Sequence, residues 1–460
     1  MKPRMFFGGI LILCGALAIG NASAATETSE HTLKNGLRVI VKEDHRAPVV
    51  ASMVWYRAGS IDEVSGTTGV AHVLEHMMFK GTRSVPAGQF SKIIAAAGGK
   101  ENAFTNTDYT AYFQQLHKSK LPLAMKLEAD RMANLNLSDR EFAKEIKVVM
   151  EERRLRTEDQ PHSLMYEKLM AAALQASPYR WPVIGWMDDL EHMTADDARA
   201  WYKRWYAPNN AILVVAGDVK PKEVFALAER YYGPLKARPL PTRKPQLEGA
   251  QTGIKRITVK APAELPALLM GYRAPVLHDP EHDWEPYALE VLTGVLDGNP
   301  AARLNKALVL DEKLASSVGA SYDSVARGPG MIFLDGTPSE GRTVAELEAG
   351  IRAQIDKVIQ DGVTEEELQR VKAQVVAAEV FKRDSVFYQA MQIGMLEAAG
   401  IPHRSIDLQV RKLQEVTADQ VREVAKKYFN DDGLTVAVLD PQPLDAKKPM
   451  PAMKGMRHGG

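Results

Sequence analysis

Cysteine is nearly absent from this sequence, in which Cys14 is the only one among 460 residues. The rest of the chain therefore offers no disulfide, no thiolate ligand for zinc and no cysteine nucleophile. The Gly-x-Ser-x-Gly motif of many serine hydrolases is also missing, and Ser84, between Gly81 and Gly88, has the wrong spacing for it. Catalysis by a cysteine, or by a serine in that motif, is therefore excluded.

Long apolar runs are missing beyond the N-terminus, where residues 5–19 are apolar. This run follows the basic residues 1–4 and precedes Ala22-Ser23-Ala24, an order typical of a secretory signal peptide cleaved after Ala24. The run is too short, and too rich in glycine and alanine, for a membrane anchor. Leu13, before the cysteine, is too bulky for a lipoprotein signal. We therefore expect a periplasmic or secreted protein with no stable membrane anchor.

Neither sign of charge dominates, since the chain has 58 Lys and Arg residues and 58 Asp and Glu residues. Removal of Lys2 and Arg4 with the signal would leave 56 basic residues against the 58 acidic ones. A chain this close to neutral lacks the basic surface that nucleic-acid binding requires, so no nucleic-acid partner is expected. The dispersed charge and 45% hydrophobic content fit an ordinary globular protein.

His72-Val73-Leu74-Glu75-His76 is the most informative stretch that is present. Residues four apart on a helix project from one face, so His72 and His76 can reach one metal ion, and Glu75 borders that face. The order H-x-x-E-H is the inverse of the commoner zinc-protease motif. Apolar neighbours predict a buried helix, in which three polar groups are costly unless they have partners. The motif therefore predicts a metal site with a carboxylate beside it.

A second acidic stretch offers a third ligand, which catalytic zinc needs if its fourth position is to stay open. Ser138 and Glu141 predict the start of a helix with a capping box. Glu145 and Glu152 lie two turns apart on this helix and share a face, whereas Glu151 points elsewhere. The sequence therefore favours a helix that presents two carboxylates together.

These features resemble the pitrilysin/insulinase family of zinc peptidases, and in particular its bacterial members similar to the mitochondrial processing peptidases. The resemblance extends to Gly81-Thr82, to Gly98-Gly99-Lys100-Glu101-Asn102-Ala103-Phe104-Thr105 and to Trp205-Tyr206-Ala207-Pro208-Asn209-Asn210. It covers the chain from about residue 30 to residue 441. The chain is therefore expected to share the fold and the chemistry of that family.

The resemblance implies one zinc ion (Zn²⁺) per chain, held by His72, His76 and Glu152. It implies that Glu75 is the general base activating a zinc-bound water, and that Glu145 is a catalytic-site carboxylate that supports the ligands. A chamber enzyme of this kind would bind peptide substrates as an added strand on an exposed sheet edge. The candidate substrate-binding edge consists of Asn102, Ala103, Phe104 and Thr105.

The chain repeats itself, because residues 193–218 and 416–440 both predict a capped helix, a short turn and a strand. Strands at residues 37–41 and 49–56 are followed by long helical patterns, which predicts an α+β fold. We expect two homologous halves, each a mostly antiparallel sheet backed by helices, and the resemblance adds that they face across a chamber. The predicted divisions are a signal peptide (1–24), an N-terminal catalytic half with the zinc site (25–240), a linker (241–255), a C-terminal inactive half (256–445) and a flexible tail (446–460).

The second half lacks the ligands of the first. Tyr287 and Val291 stand at the positions of the two histidines, and Val371 and Ala378 at those of the two glutamates. The sequence therefore predicts one metal site per chain.

A departure from the family pattern concerns partners. In self-sufficient members the second half carries an Arg and a Tyr that bind substrate and stabilise the oxyanion, but Val309 and Ser316 stand at those positions here. In two-subunit members, one chain keeps the zinc and its partner supplies the Arg and Tyr. We therefore expect a homologous partner subunit that carries Arg and Tyr and lacks the zinc motif, or otherwise a homodimer.

The function predicted is that of a secreted zinc metalloendopeptidase acting on peptides or unfolded segments. The alternative is a non-catalytic binding or assembly subunit of a peptidase-like complex, as some relatives are. Those relatives lose the H-x-x-E-H motif, and this chain keeps it.

Overall fold

The computed structural model describes residues 28–444 of the chain. The predicted signal peptide (1–24) and C-terminal tail (446–460) lie outside the described residues. Within the described part, every helix is too short or too polar to cross a membrane.

From residue 28 onwards, the first half combines six strands with eight α-helices. Its strands are β1 (Thr28–Thr32), β2 (Arg38–Glu43), β3 (Val49–Tyr56), β4 (Lys100–Thr105), β5 (Thr110–His117) and β6 (Ala211–Gly217). Its helices are α1 (Val70–Met77), α2 (Gln89–Ala96), α3 (Leu121–Asn134), α4 (Asp139–Arg153), α5 (Pro161–Ala173), α6 (Met187–His192), α7 (Ala195–Trp205) and α8 (Pro221–Tyr231).

The second half combines five strands with six helices up to residue 444. Its strands are β7 (Lys255–Pro262), β8 (Ala267–Ala274), β9 (Ala315–Tyr322), β10 (Gly330–Pro338) and β11 (Leu434–Gln442). Its helices are α9 (Glu285–Asp297), α10 (Val344–Asp361), α11 (Glu365–Arg383), α12 (Val386–Ala399), α13 (Ile406–Glu415) and α14 (Ala418–Tyr428).

The two sheets have the same strand order once the extra edge strand β1 is set aside. The first is β1-β2-β6-β3-β5-β4 and the second β7-β11-β8-β10-β9. Each contains one parallel pair, β2 with β6 and β7 with β11, and its other neighbours are antiparallel. The prediction of an α+β fold with two similar, mostly antiparallel halves is confirmed.

Local capping explains where the repeated helices begin. Thr194 and Thr417 each form a capping box at the start of α7 and α14, and these helices lead into β6 and β11. Ser138 caps α4 by accepting from the Glu141 N–H at 3.3 Å. The Glu141 carboxylate accepts from Lys144 at 2.8 Å, so the reciprocal bond of the predicted capping box is replaced by an ion pair. The predicted repeat and the predicted start of α4 are confirmed.

One helix of each half packs against the sheet of the other half. One face of each sheet packs on helices of its own half. The other face of the first sheet, including Met53 and Trp55, is covered by α12 from the second half. The other face of the second sheet is covered by α5 from the first half, through Met165 and Leu169. Each core is therefore completed by the other half.

Residues 236–254, which connect the halves, contain neither helix nor strand. Glu248 accepts the backbone N–H groups of Gln175 at 2.8 Å and Ser177 at 2.9 Å. Arg243 donates to Asp62 at 2.5 Å. These contacts tie the segment to the first half, and the exact division of the chain into domains stays a prediction.

Candidate metal and catalytic site

The sequence-predicted metal residues lie on two helices of the first half that pack against each other. His72, Glu75 and His76 are on α1, and Glu145 and Glu152 are on α4. All five side chains are buried. Residues far apart in sequence are thereby brought into one cluster.

The two imidazoles and the Glu152 carboxylate converge. One potential ligand atom from each of His72, His76 and Glu152 lies within 4.8 Å of the others. His76 Nε2 is 3.3 Å from Glu152 Oε2, and His72 Nε2 is 3.9 Å from Glu152 Oε1. Tetrahedral zinc with bonds of about 2.0–2.1 Å sets its ligand atoms roughly 3.3 Å apart. The donor set and its spacing therefore fit a zinc ion after a small adjustment.

Glu145 contacts the outer nitrogen of one imidazole. Its Oε1 lies 2.9 Å from Nδ1 of His76. A carboxylate at this nitrogen favours the tautomer with the proton on Nδ1 and so keeps Nε2 free to act as a ligand. Glu145 therefore orients His76 and does not itself reach the cluster's centre.

Two cations offset the carboxylates of this buried cluster, and sequence reasoning missed both. Lys80 Nζ lies 2.6 Å from Glu145 Oε2, and Arg156 Nη1 lies 2.6 Å from Glu152 Oε1. Arg156 belongs to a π-helical turn, Arg154–Glu158, that follows α4. The spacing of four residues between Glu152 and Arg156 was a signal that could have revealed the second pair.

Glu75 is held by a hydroxyl from the neighbouring sheet. Thr105, the last residue of β4, donates its hydroxyl to Glu75 Oε2 at 2.5 Å. Burial raises the pKa of Glu75 to about 7. A raised pKa in a buried carboxyl group beside potential metal ligands makes Glu75 a candidate functional residue, and Thr105 fixes one of its oxygens.

The start of α1 depends on Glu63, another residue that sequence reasoning missed. Its buried carboxylate accepts the N–H groups of Gly69 at 2.8 Å and Ala71 at 2.9 Å. Gly69 has φ of 87°, and a Cβ there would lie 2.6 Å from the carbonyl oxygen of Ile184. Glu63 lies outside the usual capping positions, so no local signal marks its role in fixing the histidine helix.

A cavity of about 960 Å³ lies between the halves beside the metal cluster. The first half contributes His72, Thr105 and Arg156 to its lining, and the second half contributes Tyr322 and Phe333. The predicted chamber thus opens onto one of the histidines. A cavity of this size admits several residues of an extended peptide.

The four predicted substrate-binding residues are not all placed alike. They lie on β4, which is the edge strand of the first sheet. Thr105 lines the cavity, whereas Ala103 is buried and Phe104 packs against Trp55 with ring centroids 5.4 Å apart. Asn102 is partly buried on the same strand. Of these four side chains, Thr105 alone lines the cavity, and the backbone edge of β4 has no neighbouring strand among the described residues.

Val309 and Ser316 lie outside the residues that line the cavity. Val309 packs against the second-half core, and the Ser316 hydroxyl donates to the Thr337 carbonyl at 3.2 Å. Neither side chain can donate to a reacting group in the way an Arg or a Tyr would.

Two family models match the chain. Residues 38–185 match the model described as insulinase (peptidase family M16), and residues 192–375 match the peptidase M16 inactive domain. The first match contains all the residues of the metal cluster. The second covers most of the half that lacks it.

Relatives with similar sequence or structure extend over nearly the whole chain. The zinc protease PqqE of Helicobacter pylori is 32% identical over 452 residues, covering 96% of this chain and 99% of that protein. A crystal structure of a protease from Helicobacter pylori, 29% identical, matches with a TM-score of 0.86 over 90% of this chain and 100% of that one. The periplasmic protease PqqL from Escherichia coli shares the fold, with a TM-score of 0.77 at 20% identity, over 91% of this chain and 49% of that one.

Proposed function

This chain belongs to the insulinase family of zinc peptidases, peptidase family M16, and we propose from that membership that it is a zinc metalloendopeptidase. Its substrates would be peptides or unfolded segments that fit the cavity between the halves. The single observation that carries the proposal is the convergence of His72, His76 and Glu152 beside that cavity, which His72 lines. Two imidazoles and one carboxylate at this spacing form a donor set that suits zinc.

His72, His76 and Glu152 would hold one zinc ion per chain. When bound, zinc supplies the Lewis acidity that makes water a nucleophile at neutral pH. Glu145 keeps His76 in the tautomer that leaves Nε2 available.

Glu75 would be the general base. Thr105 occupies its Oε2, so Oε1 is the oxygen proposed to accept the proton of the attacking water. The same carboxyl group can then return that proton to the leaving amine. The β4 edge would hold the peptide backbone as an added strand, with the scissile bond directed towards His72.

Metal analysis combined with a peptide-cleavage assay tests this proposal. We expect about one zinc per chain, loss of cleavage on chelation and recovery on adding zinc back. A His76→Ala variant should lose most of the metal. Two metals per chain, or undiminished zinc in His76→Ala, would contradict the ligand set. Full zinc with no cleavage under any condition would instead favour the alternative, a non-catalytic binding or assembly subunit.

A homologous partner subunit is also proposed, because Val309 and Ser316 offer no Arg or Tyr to the site. Loss of one oxyanion donor costs about 10²–10³ in turnover in comparable sites. We therefore expect low activity for the chain alone. A related chain that lacks H-x-x-E-H but carries the Arg and Tyr should raise it at least about tenfold. Sizing chromatography and the peptide assay on the single chain and the mixture check this, and a fully active homodimer would remove the need for a partner.

Export is proposed from the N-terminal sequence alone, with cleavage after Ala24 and a periplasmic or secreted product. Determination of the N-terminal residue of the protein from its native host tests this directly. A mature chain that starts at Ala25 supports export, and a chain that retains Met1 contradicts it.

A further inference from the structure

A loop of the second half reaches into the first half beside the catalytic cavity. It joins β9 to β10 and carries Arg327. The Arg327 guanidinium group donates to both oxygens of Asp62, at 3.0 and 3.2 Å, and to the backbone carbonyl of Asp108 at 2.9 Å. The Asp62 and Arg327 side chains are only 3% and 12% exposed, so solvent screens this contact weakly.

Asp108 lies in the turn between β4 and β5, and both of its carboxylate oxygens accept hydrogen bonds. Its Oδ2 accepts the backbone N–H of Arg327 at 3.0 Å, and its Oδ1 accepts the Tyr179 hydroxyl at 2.6 Å. The chain passes so close here that a Cβ on Gly328 would lie 2.4 Å from the Tyr179 ring. The loop is therefore shaped to fit this one turn.

The β4–β5 turn that Arg327 contacts is connected through β4 to the proposed catalytic site. Ser60 and Ile61 donate their N–H groups to the carbonyls of Asn106 and Thr107, so the segment carrying Asp62 also supports the turn. Thr105, directly before the turn, holds Glu75 at 2.5 Å. A shift of the turn would thus move both the β4 edge and the hydroxyl that fixes Glu75.

We propose that Arg327 of the second half is a positioning residue for catalysis in the first half: it clamps the β4–β5 turn so that Thr105 and the β4 edge face Glu75 and the metal ligands. The proposal rests on the proposed peptidase function. Arg327 touches neither the metal cluster nor the reacting atoms and acts through Asp62 and Asp108. The half without a metal site thereby contributes to turnover through geometry alone.

The competing explanation is that Arg327 only holds the halves together. A second ion pair supplies the matched control, because Arg38 of β2 donates to Glu397 of α12 at 2.6 Å. This pair also joins the halves and includes a buried carboxylate, but neither residue lines the cavity beside the metal cluster. A purely structural role predicts that loss of either arginine has the same consequence.

The experiment compares Arg327→Met, Arg327→Lys and Arg38→Met in the full-length, zinc-loaded protein. For each variant, kcat and KM are measured on a fluorogenic peptide, together with zinc content, thermal midpoint and hydrogen–deuterium exchange of residues 100–110. We expect Arg327→Met to lower kcat about tenfold or more, since a misplacement near 1 Å can cost up to 10²-fold. Exchange in residues 100–110 should rise, and zinc content should stay unchanged.

Arg327→Lys should recover part of the turnover, because an ammonium pairs with Asp62 but cannot reproduce the guanidinium fork. Arg38→Met should lower the thermal midpoint while leaving kcat and exchange in residues 100–110 as in the parent. Equal kcat losses in the two Met variants, or an unchanged kcat in Arg327→Met, would overturn the proposal. If the parent protein cleaves no peptide, the proposed function fails, and the exchange data still decide whether Arg327 clamps the turn.

Discussion

One helix from each half packs on the sheet of the other half, and the two contacts differ in where the large side chain lies. In the contact of α12 with the first sheet the large residue is on the sheet, whereas in the contact of α5 with the second sheet it is on the helix. Gly394 and Leu169 are both the ninth residue of the crossing helix, α12 and α5 respectively. Gly394 contacts Trp55 on β3, and Leu169 contacts Gly271 on β8. Trp55 and Gly271 occupy equivalent places in the two sheets, because they pair with the second residue of β6 and of β11 respectively. A Cβ on Gly394 would lie 2.0 Å from Trp55, and one on Gly271 would lie 3.0 Å from Leu169. The same architecture therefore accepts either arrangement, provided the two surfaces complement each other.

The helices that carry the metal cluster differ from their counterparts in the second half in another way. Glu290 on α9 occupies the position of Glu75, and like Glu75 it accepts from a hydroxyl, that of Ser324. Burial raises the pKa of each carboxyl to about 7. The counterpart of His72, however, is Tyr287, whose hydroxyl donates to the Pro280 carbonyl at 2.9 Å. A glutamate with a raised pKa is thus present in both halves, but in the described residues the converging metal ligands accompany only Glu75.

The largest expected effect separates these two glutamates. Glu75→Gln should lower turnover by about 10²–10⁴, because a general base is lost while the zinc and the fold remain. Glu290→Gln removes a carboxyl with a similarly raised pKa from the second half and should leave turnover near that of the parent. Peptide cleavage with zinc analysis checks both variants. Near-normal turnover in zinc-loaded Glu75→Gln would show that the two halves do not differ in this way.

An exchange of residues sharpens the comparison of the two crossings. Trp55→Gly should cost roughly 3–5 kcal/mol of unfolding free energy through the cavity left behind, and Gly394→Leu about 1–3 kcal/mol or more through overpacking. The double variant copies the arrangement of the second half and should lose about 0.5–3 kcal/mol less than the sum of the single changes. Urea unfolding of the four proteins measures the coupling. Strict additivity would mean that complementarity at this contact contributes nothing.

A smaller effect is expected on zinc affinity when equivalent residues of α4 and α11, Glu145 and Val371, are each replaced. Glu145→Gln should weaken zinc retention by about 10–100-fold, since the carboxylate that orients His76 is lost. Val371 is buried against Gly294, so Val371→Ala should leave zinc affinity intact and cost about 1.5–3 kcal/mol of stability. Zinc competition with a chelator and urea unfolding separate the two outcomes. Unchanged zinc affinity in Glu145→Gln would remove this residue from the site.

The smallest expected effect concerns acid stability at the contact between α12 and the first half. Burial alone would raise the pKa of Glu397, but hydrogen bonds from His403 and Arg38 outweigh it and lower the pKa to about 2, against an ordinary value of 4.5. A depressed pKa stabilises the fold above the unfolded-state value. This contribution is lost as the pH falls from about 4.5 towards 2. Unfolding free energies measured between pH 5 and 3 should fall less steeply in Glu397→Gln than in the parent, and parallel curves would contradict the assignment.

Much of the fold and of the site follows from local sequence. Residues four apart on a helix share a face, so His72 and His76 had to lie together once α1 formed. Thr194 and Thr417 mark the starts of repeated helices through contacts only three residues long. The resemblance to the insulinase family joined Glu152 to the two histidines. Such features can be predicted from the sequence because they depend on short spacings or on motifs shared with relatives.

Other features were decided by tertiary structure alone. Glu63 caps α1 from outside any standard capping position, and Arg327 grips a turn more than 200 residues earlier in the chain. Trp55 and Gly394 fit each other only because α12 crosses to the sheet of the other half. The contacts of Arg327 and Gly394 depend on how the halves pack, and packing depends on the joint shape of many side chains. The sequence by itself therefore determined which residues could bind a metal, and only the tertiary structure decided which contacts hold them in place, because those contacts depend on packing that no short spacing encodes.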